Sequence, residues 1–446
     1  MKHHLPKIAI LVVIVTCFIV DFDFKNWTKT EGVIANDIRS YYGYLPAKFI
    51  YDDIKVEKDD YTYGENQFWF WQVKTTGGQN IFKMTCGLAI LYYPFFYVAN
   101  VMAELFDFPQ SGFSEPYKFF LLLSSIFYLC IGLIFTVKNL EHFKFSQVNI
   151  ALTVLLIGLG TNLFCYSTQQ APMSHVYSFA LFSIFIYLTI CWHEKPKLLY
   201  FIGICVVFGM ISLIRITNSL VFLFFILYGV KNFKEILKKN ITYVELFILF
   251  SAVALIWWPQ LRYWKITTEN YLVFAYNEEG FFFLNPHIYK GLFNFRKGWL
   301  IYTPMMFFAL FGIYHLKKEL SVLKFPIVVF LLVNVYVIFS WWSWWYGGSF
   351  GQRPMIESYA ILAIPLAAFI QYVSGRKFVY KAAFGTIVVF FIWLNIFQTY
   401  QYQIGSLHHE AMNQTIYFKQ FGKLEKIKDF ENYLSYPNID KAMKGK

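Results

Sequence analysis

The sequence predicts an all-α polytopic membrane protein, and three observations carry that prediction. Of the 446 residues, 57% are apolar, 22% aromatic and only 15% charged, with a mean hydropathy of +0.45. The apolar residues fall in repeated blocks of about 20, the length a helix needs to cross the hydrocarbon core. Most lysines lie in the short loops between these blocks, where positive charge marks the cytoplasmic side. The net charge of +12 is therefore a topology signal and an attraction to anionic lipid headgroups rather than a sign of nucleic-acid binding. Cys17, Cys86, Cys130, Cys165, Cys191 and Cys205 are scattered, with no C-x-x-C pair or Cys/His cluster. They imply neither a disulfide framework nor a structural zinc site.

The first block, Ile8 to Val20, follows the basic Lys2 and Lys7 and ends in Asp21-Phe22-Asp23-Phe24. No small-residue cleavage site follows, so residues 1–24 are expected to be a retained first transmembrane helix with a cytoplasmic N-terminus. Further blocks near 118–137, 148–167, 175–192, 198–214, 217–230, 243–260, 299–315, 322–342, 354–373 and 379–400 bring the bundle to about 11 spans. Lys138, Lys144, Lys195, Lys197, Lys231, Lys234, Lys238, Lys239, Lys317, Lys318, Lys324, Arg376, Lys377 and Lys381 define one set of short loops as cytoplasmic. By parity both 25–80 and 107–117 then lie outside. The apolar segment 84–105 is accordingly expected to be an interfacial or re-entrant helix, interrupted at Pro94, with a twelfth span that locally violates the charge rule as the alternative. Four regions result: the first helix (1–24), an extracytoplasmic loop with interfacial helices (25–117), the bundle (118–400) and an extracytoplasmic tail (401–446).

Five polar clusters fall on the outer side of this topology. In "DIRSYYGYLPAKFIYDD" (37–53), Asp37, Tyr41, Tyr44 and Lys48 recur at helical spacing, which predicts an amphipathic surface helix kinked near Tyr44 by Pro46. An aspartate held there over a cavity could take a proton from an attacking hydroxyl. "STQQAPMSHVYSF" (167–179) crowds Gln169, Gln170, Ser174, His175 and Tyr177 into a short turn; a histidine at a helix start is as readily a hydrogen-bonding residue as a catalyst. Arg215 in "ISLIRITNS" either snorkels to the interface or needs an anion inside the bundle. Arg296 and Lys297 in "FNFRKGWLIYTP" sit at the outer entrance to a span, where cations meet lipid headgroups. "WWSWWYGGSFGQRPMIE" (341–357) adds an aromatic belt with Trp345 and Tyr346. Gly347, Gly348 and Gly351 there allow close backbone approach or positive φ, and Gln352, Arg353 and Glu357 follow. Glycines beside an arginine suit a phosphate, and adjacent aromatic faces suit a sugar.

These segments resemble the GT-C glycosyltransferases, which include the protein O-mannosyltransferases and the lipid A aminoarabinose transferases. The general plan matches over nearly the whole chain: one amino-terminal span, a long outer loop that opens with an acidic residue, and about eleven spans. "DIRSYYGYLPAKFIY", "KMTCGLAILYYPFF", "APMSHVYSF", "LIRITN", "RKGWLIYTP" and "WWYGGSFGQRP" look like recurring segments of uncharacterised GT-C-like membrane proteins common in Bacteroidetes. The resemblance implies transfer of a sugar from a polyprenyl-phosphate donor to a lipid, glycan or protein acceptor, at the outer face of a bacterial cytoplasmic (inner) membrane. Asp37 matches the aspartate of the first outer loop and would be the base. Arg353, Arg215, Arg296 and Lys297 would hold the donor phosphate. Tyr41, Tyr44, Lys48, His175, Tyr177, Trp345, Tyr346, Gln352 and Glu357 would line the substrate cavity. Better-known members often carry two adjacent acidic residues, but here the neighbour is Asn36. One firm carboxylate is a thin shell for a hard cation, so a divalent cofactor, Mg²⁺ or Mn²⁺, stays open and no residue is assigned as a metal ligand. A transporter or flippase of lipid-linked saccharide, or a polysaccharide ligase or polymerase, remains the alternative reading. The chain shows neither the internal repeats nor the midplane ionisable residues that transporters favour.

Overall fold

The computed structural model describes residues 4–58, 61–63, 66–68, 70–231 and 242–446; Lys2, Lys234, Lys238 and Lys239 of the topology argument lie outside them. Among the described residues, eight helices are long and apolar enough to cross a membrane: Leu5–Thr28, Gly87–Leu105, Glu115–His142, Ser174–Glu194, Tyr243–Thr268, Lys318–Phe339, Arg353–Ser374 and Phe378–Gln403. Four shorter apolar helices accompany them: Gln147–Leu159, Leu198–Ile214, Ile216–Leu227 and Met306–His315. The short ones are cut where the sequence carries a breaker. Gly160 ends Gln147–Leu159, and Pro304 separates Trp299–Tyr302 from Met306–His315.

Two helices form the centre of the bundle and others its periphery. Of their most apolar stretches, 83% is buried in Arg353–Ser374 and 78% in Ser174–Glu194, against 6% in Tyr243–Thr268. The last helix exposes Phe247, Phe250, Leu255 and Trp258, a row that a bilayer would solvate and water would not. The central pair packs closely against Met306–His315 and Glu115–His142, with small residues at the contacts. A Cβ on Gly132 would meet the Phe179 ring at 2.7 Å, and one on Gly312 would meet the Pro365 carbonyl oxygen at 1.8 Å, so backbone proximity replaces side-chain interdigitation there.

The outer loop departs from expectation in three ways. The segment 84–105 is one continuous helix, Gly87–Leu105, with Pro94 inside it; the proline removes one backbone donor without interrupting the helix, and the element has the length and hydropathy of a span. The opening stretch divides at Gly43, beside Tyr44 as expected, giving Asp37–Tyr42 and Tyr44–Phe49. Pro46 falls in the first turn of the second helix, where no intrahelical N–H is needed, whereas a Cβ at Gly43 would meet Phe82 at 2.4 Å. Tyr41, Tyr42, Tyr44 and Leu45 are all buried, so this pair of helices is wedged into the bundle mouth and does not lie flat on a surface. Finally, two antiparallel ribbons follow, Tyr61–Tyr63 with Asn66–Phe68 and Gln72–Lys74 with Asn80–Phe82.

The C-terminal tail folds back over the tryptophan loop. Ala442 packs with Trp344 and Trp345, Trp345 Nε1 donates to Glu410 at 2.8 Å, and Asn285 Nδ2 donates to the Gly445 carbonyl at 2.7 Å.

Candidate active site

Asp37 opens a helix whose position is fixed from several sides. Asn36 before it takes a left-handed φ of 50°. Ser40 Oγ accepts from the Met84 amide at 3.0 Å, and Tyr42 OH donates to the Gly112 carbonyl at 2.5 Å. The helix thus presents the Asp37 carboxylate to the start of a distant element: Arg353 Nη2 lies 3.0 Å from Asp37 Oδ2, with both side chains mostly buried. Arg353 begins the 3₁₀ turn Arg353–Ser358 that leads into the central helix Tyr359–Ser374. The most buried helix of the bundle therefore carries the cation that meets the aspartate.

Arg215 joins them at the end of Leu198–Ile214, where the chain turns extended (φ −152°, ψ 119°). Tyr41, Glu357, Tyr346 and Tyr276 are its electrostatic neighbours, and among the described residues no carboxylate comes within ion-pairing distance of its guanidinium. The Tyr41 phenol lies between the charges: burial raises its pKa, Arg215 and Arg353 oppose that, and Asp37 adds to it. Tyr276, from the 261–298 loop, faces Tyr41, Arg215 and Asp37. Its apolar-looking sequence context gave no signal for this, and it is missing from the expected set. Behind it, Lys83 pairs with Glu279, and Trp342 Nε1 donates to Glu279 at 3.2 Å.

Beneath Arg353, His175 Nδ1 and Glu357 Oε1 are 2.9 Å apart and almost wholly buried. Arg353 and Glu357, four residues apart, thus diverge, one to the outer loop and the other inward. His175 Nε2, Glu357 Oε2, Arg353 Nε and Gln352 Oε1 are buried without a hydrogen-bond partner among the described residues. A cluster of orphaned donors and acceptors at one place is what a polar ligand would satisfy. Breaking the pair from one side strands a buried charge, so His175→Phe is expected to cost about 3 kcal/mol, read as a lowered Tm in detergent. Glu357→Gln keeps a hydrogen bond to the imidazole and should cost less.

The tryptophan loop approaches through its glycines. Tyr346, Gly347 and Gly351 all take positive φ, and a Cβ on Gly351 would sit 3.0 Å from Tyr302 Cβ. Tyr346 OH donates to the Ile338 carbonyl at 2.8 Å, while Arg215 and Arg353 act on its ring oxygen. Gln352 Nε2 donates to the Trp344 carbonyl at 3.0 Å.

The remaining expected residues have other partners. Lys297 is buried and donates to the Ser349 and His409 carbonyls; burial lowers its pKa to about 7. Arg296 Nη1 donates to the Glu410 carbonyl at 2.9 Å. Lys297 thus fastens the tryptophan loop to the tail and Arg296 ties its own segment to the tail; neither is ion-paired with Asp37, whose partner is Arg353. Tyr44 OH donates to the Met84 carbonyl at 2.7 Å, Tyr177 OH pairs with Ser124 Oγ at 2.6 Å, and Lys48 pairs with Asp52 on the surface. Tyr44 and Tyr177 are buried, and Lys48 is exposed.

His408 makes the tail sensitive to pH. Its Nδ1 accepts from the Glu410 and Ala411 amides at 3.0 and 2.9 Å, which requires that nitrogen to be unprotonated. Burial and then His409 lower its pKa to about 4. A histidine with a folded value below its unfolded one (about 6.5) takes up its proton more readily on unfolding, so stability is lost as pH falls from about 6.5 to 4. Amide exchange across 405–446 is expected to quicken over that window in the wild type and to show no such step in His408→Phe.

The donor set does not fit a resident divalent cation. Among the described residues no three His, Cys, Asp or Glu side chains converge, and the one carboxylate at the mouth is already paired with Arg353. A hard cation takes about six oxygen ligands.

The apolar helices and their lipid-facing surface define a multi-pass membrane protein, and its fold is like that of archaeal oligosaccharyltransferases of known structure. The structural likeness runs to an oligosaccharyltransferase of Archaeoglobus fulgidus in its apo form, with a TM-score of 0.52 and 14% identity over 98% of this chain and 60% of that one. It runs equally to the archaeal oligosaccharyltransferase AglB of Archaeoglobus fulgidus in complex with an inhibitory peptide and a dolichol-phosphate, with a TM-score of 0.54 and 12% identity over the same shares. The chain spans about three fifths of the length of these structures. No protein-family model matches it, and no curated protein does.

Proposed function

We propose that the protein transfers a sugar from a polyprenyl-phosphate donor to an acceptor at the outer face of the cytoplasmic membrane. The observation that carries this reading is the Asp37–Arg353 ion pair, which joins a carboxylate of the first outer loop to a guanidinium of the central helix at one mouth of the bundle. The AglB neighbour, whose structure is of a complex with a dolichol-phosphate, supports a lipid phosphate as the donor's carrier.

The chemistry is an inverting displacement. The acceptor hydroxyl oxygen attacks the anomeric carbon, the bond from that carbon to the phosphate oxygen breaks, and Asp37 takes the hydroxyl proton. Polyprenyl phosphate leaves with the electron pair. Arg353, with Arg215 beside it, meets the charge that develops on the leaving phosphate; a guanidinium fork can hold two phosphate oxygens at once. Tyr41, Tyr276 and Tyr346 wall the space between these groups. Lys297 acts at one remove, by holding the loop that precedes Arg353, and Arg296 by holding the tail beside it.

The test is to incubate the purified protein in lipid nanodiscs with a radiolabelled polyprenyl-phosphate sugar and candidate acceptors. Label should pass to an acceptor with equimolar release of polyprenyl phosphate. Vectorial movement of intact donor across a bilayer, without release, would favour a transporter and defeat the proposal.

A further inference from the structure

The turn from Tyr276 to Glu279 reaches the mouth of the bundle from the 261–298 loop, and its two ends have different partners. We propose that the Tyr276 hydroxyl holds the transferred sugar, and that Lys83 and Glu279 are positioning residues that keep Tyr276 in place. The inference rests on the transfer reading above and deepens it, because it takes the donor phosphate to lie at Arg353 and Arg215.

The backbone is the first argument. The Glu279 amide donates to the Tyr276 carbonyl at 2.9 Å, and Asn277 between them takes a left-handed φ of 50°. The chain that follows runs antiparallel to the start of the tryptophan loop, with Phe281 opposite Trp341. The Trp342 amide donates to the Gly280 carbonyl at 3.0 Å, and the Phe282 amide to the Ser340 carbonyl at 2.6 Å. The turn is thus fastened to the loop that leads to Arg353.

The side chains are the second. Glu279 uses both carboxylate oxygens: Oε1 pairs with Lys83, and Oε2 accepts from Trp342 Nε1 at 3.2 Å. The Lys83 ammonium also lies 5.1 Å from the centre of the Tyr276 ring, so one cation meets both ends of the turn. Trp341 packs edge-on to the same ring at 5.7 Å. Met84, next to Lys83, gives its amide to Ser40 Oγ on the helix of Asp37. One dipeptide therefore ties the tyrosine and the aspartate to a common frame.

The third is the unspent capacity of the hydroxyl. Among the described residues Tyr276 OH has one hydrogen-bond partner, the Met84 thioether at 3.5 Å, and a thioether is a weak acceptor. The phenol can exchange that contact for a sugar hydroxyl, and its own lone pairs can accept another. Arg215 and Asp37 are among its electrostatic neighbours, the first assigned to the phosphate and the second to the acceptor's proton. The part of the donor that must lie between those two groups is the sugar.

The experiment measures binding without acceptor, on the full chain in nanodiscs. The probes are undecaprenyl phosphate and its glucosyl, mannosyl and N-acetylglucosaminyl esters. At least one ester should bind the wild type about tenfold more tightly than the bare phosphate, the size of one good hydrogen bond. Tyr276→Phe should abolish that preference and leave the affinity for bare phosphate unchanged. Glu279→Gln keeps an acceptor for Trp342 but loses the ion pair, and should lose part of the preference. Added to Tyr276→Phe it should cost nothing more, since nothing is left to position. Lys83→Gln removes the same pair from the other side, and replaces Glu279→Gln should that variant not fold. No ester preferred by the wild type, or a preference that survives Tyr276→Phe, overturns the role of Tyr276. Additive losses in the double variant, or an equal loss of bare-phosphate affinity in Glu279→Gln, overturn the positioning role. Bare phosphate bound with no preferred ester fails this inference alone, whereas absent transfer with the preference intact fails the transfer reading alone.

Discussion

Asp37→Asn is expected to lower the rate of sugar transfer by about 10²–10⁴-fold, the loss typical of removing a positioned general base, while leaving the protein folded and able to hold its donor. The two effects separate because asparagine keeps the shape of the side chain and the helix that presents it. Ser40, Tyr42 and the buried Ile38 anchor that helix independently of the carboxylate. Removing the negative charge also releases Arg353 from its partner at 3.0 Å. Affinity for a polyprenyl phosphate, measured without acceptor, should stay the same or rise. The combination is diagnostic: a purely structural aspartate would lose donor affinity and stability together with rate. Turnover at the wild-type level in this variant would remove Asp37 from the mechanism.

Arg353→Lys should weaken donor binding by about tenfold or more, although the charge is retained. A hydrogen bond to a charged group contributes about 1.5–3 kcal/mol, and lysine replaces a planar fork with one compact ammonium that cannot span two phosphate oxygens. Arg353→Met should weaken binding further and leave Asp37 without a counter-ion. The informative quantity is the donor affinity of the lysine variant relative to that of Arg215→Lys. Equal losses would mean that both guanidiniums grip the phosphate; a loss confined to Arg353 would leave Arg215 to set the local potential. Wild-type donor affinity in both would defeat the phosphate assignment.

The helices were legible in the sequence because each apolar block must satisfy its own backbone in hydrocarbon. Asp37 and Arg353 were legible for a related reason: charge is costly near apolar spans, and a carboxylate and a guanidinium on one face invite each other. The fate of the other cations was not legible. Nothing in "FNFRKGWL" distinguishes a lysine aimed at a phosphate from one aimed at the Ser349 and His409 carbonyls, since those acceptors arrive from far along the chain. The expected interruption at Pro94 is absent, because one proline removes a single backbone donor from a helix that continues on both sides of it. The close approach of the Phe82 and Phe70 rings to Gly43 left no mark in the sequence, and the two ribbons are too short for an alternation to register. Tyr276 was hidden similarly, as one tyrosine among thirty-three.

The pairing of Asp37 with Arg353 in the ligand-free protein bears on the sequence of events in a catalytic cycle. A carboxylate engaged by a guanidinium is occupied, and it is free to meet an acceptor hydroxyl once a phosphate takes its place. An incoming hydroxyl that arrives early finds no partner for its proton, and so initial-rate patterns should be those of a compulsory order with the lipid substrate leading.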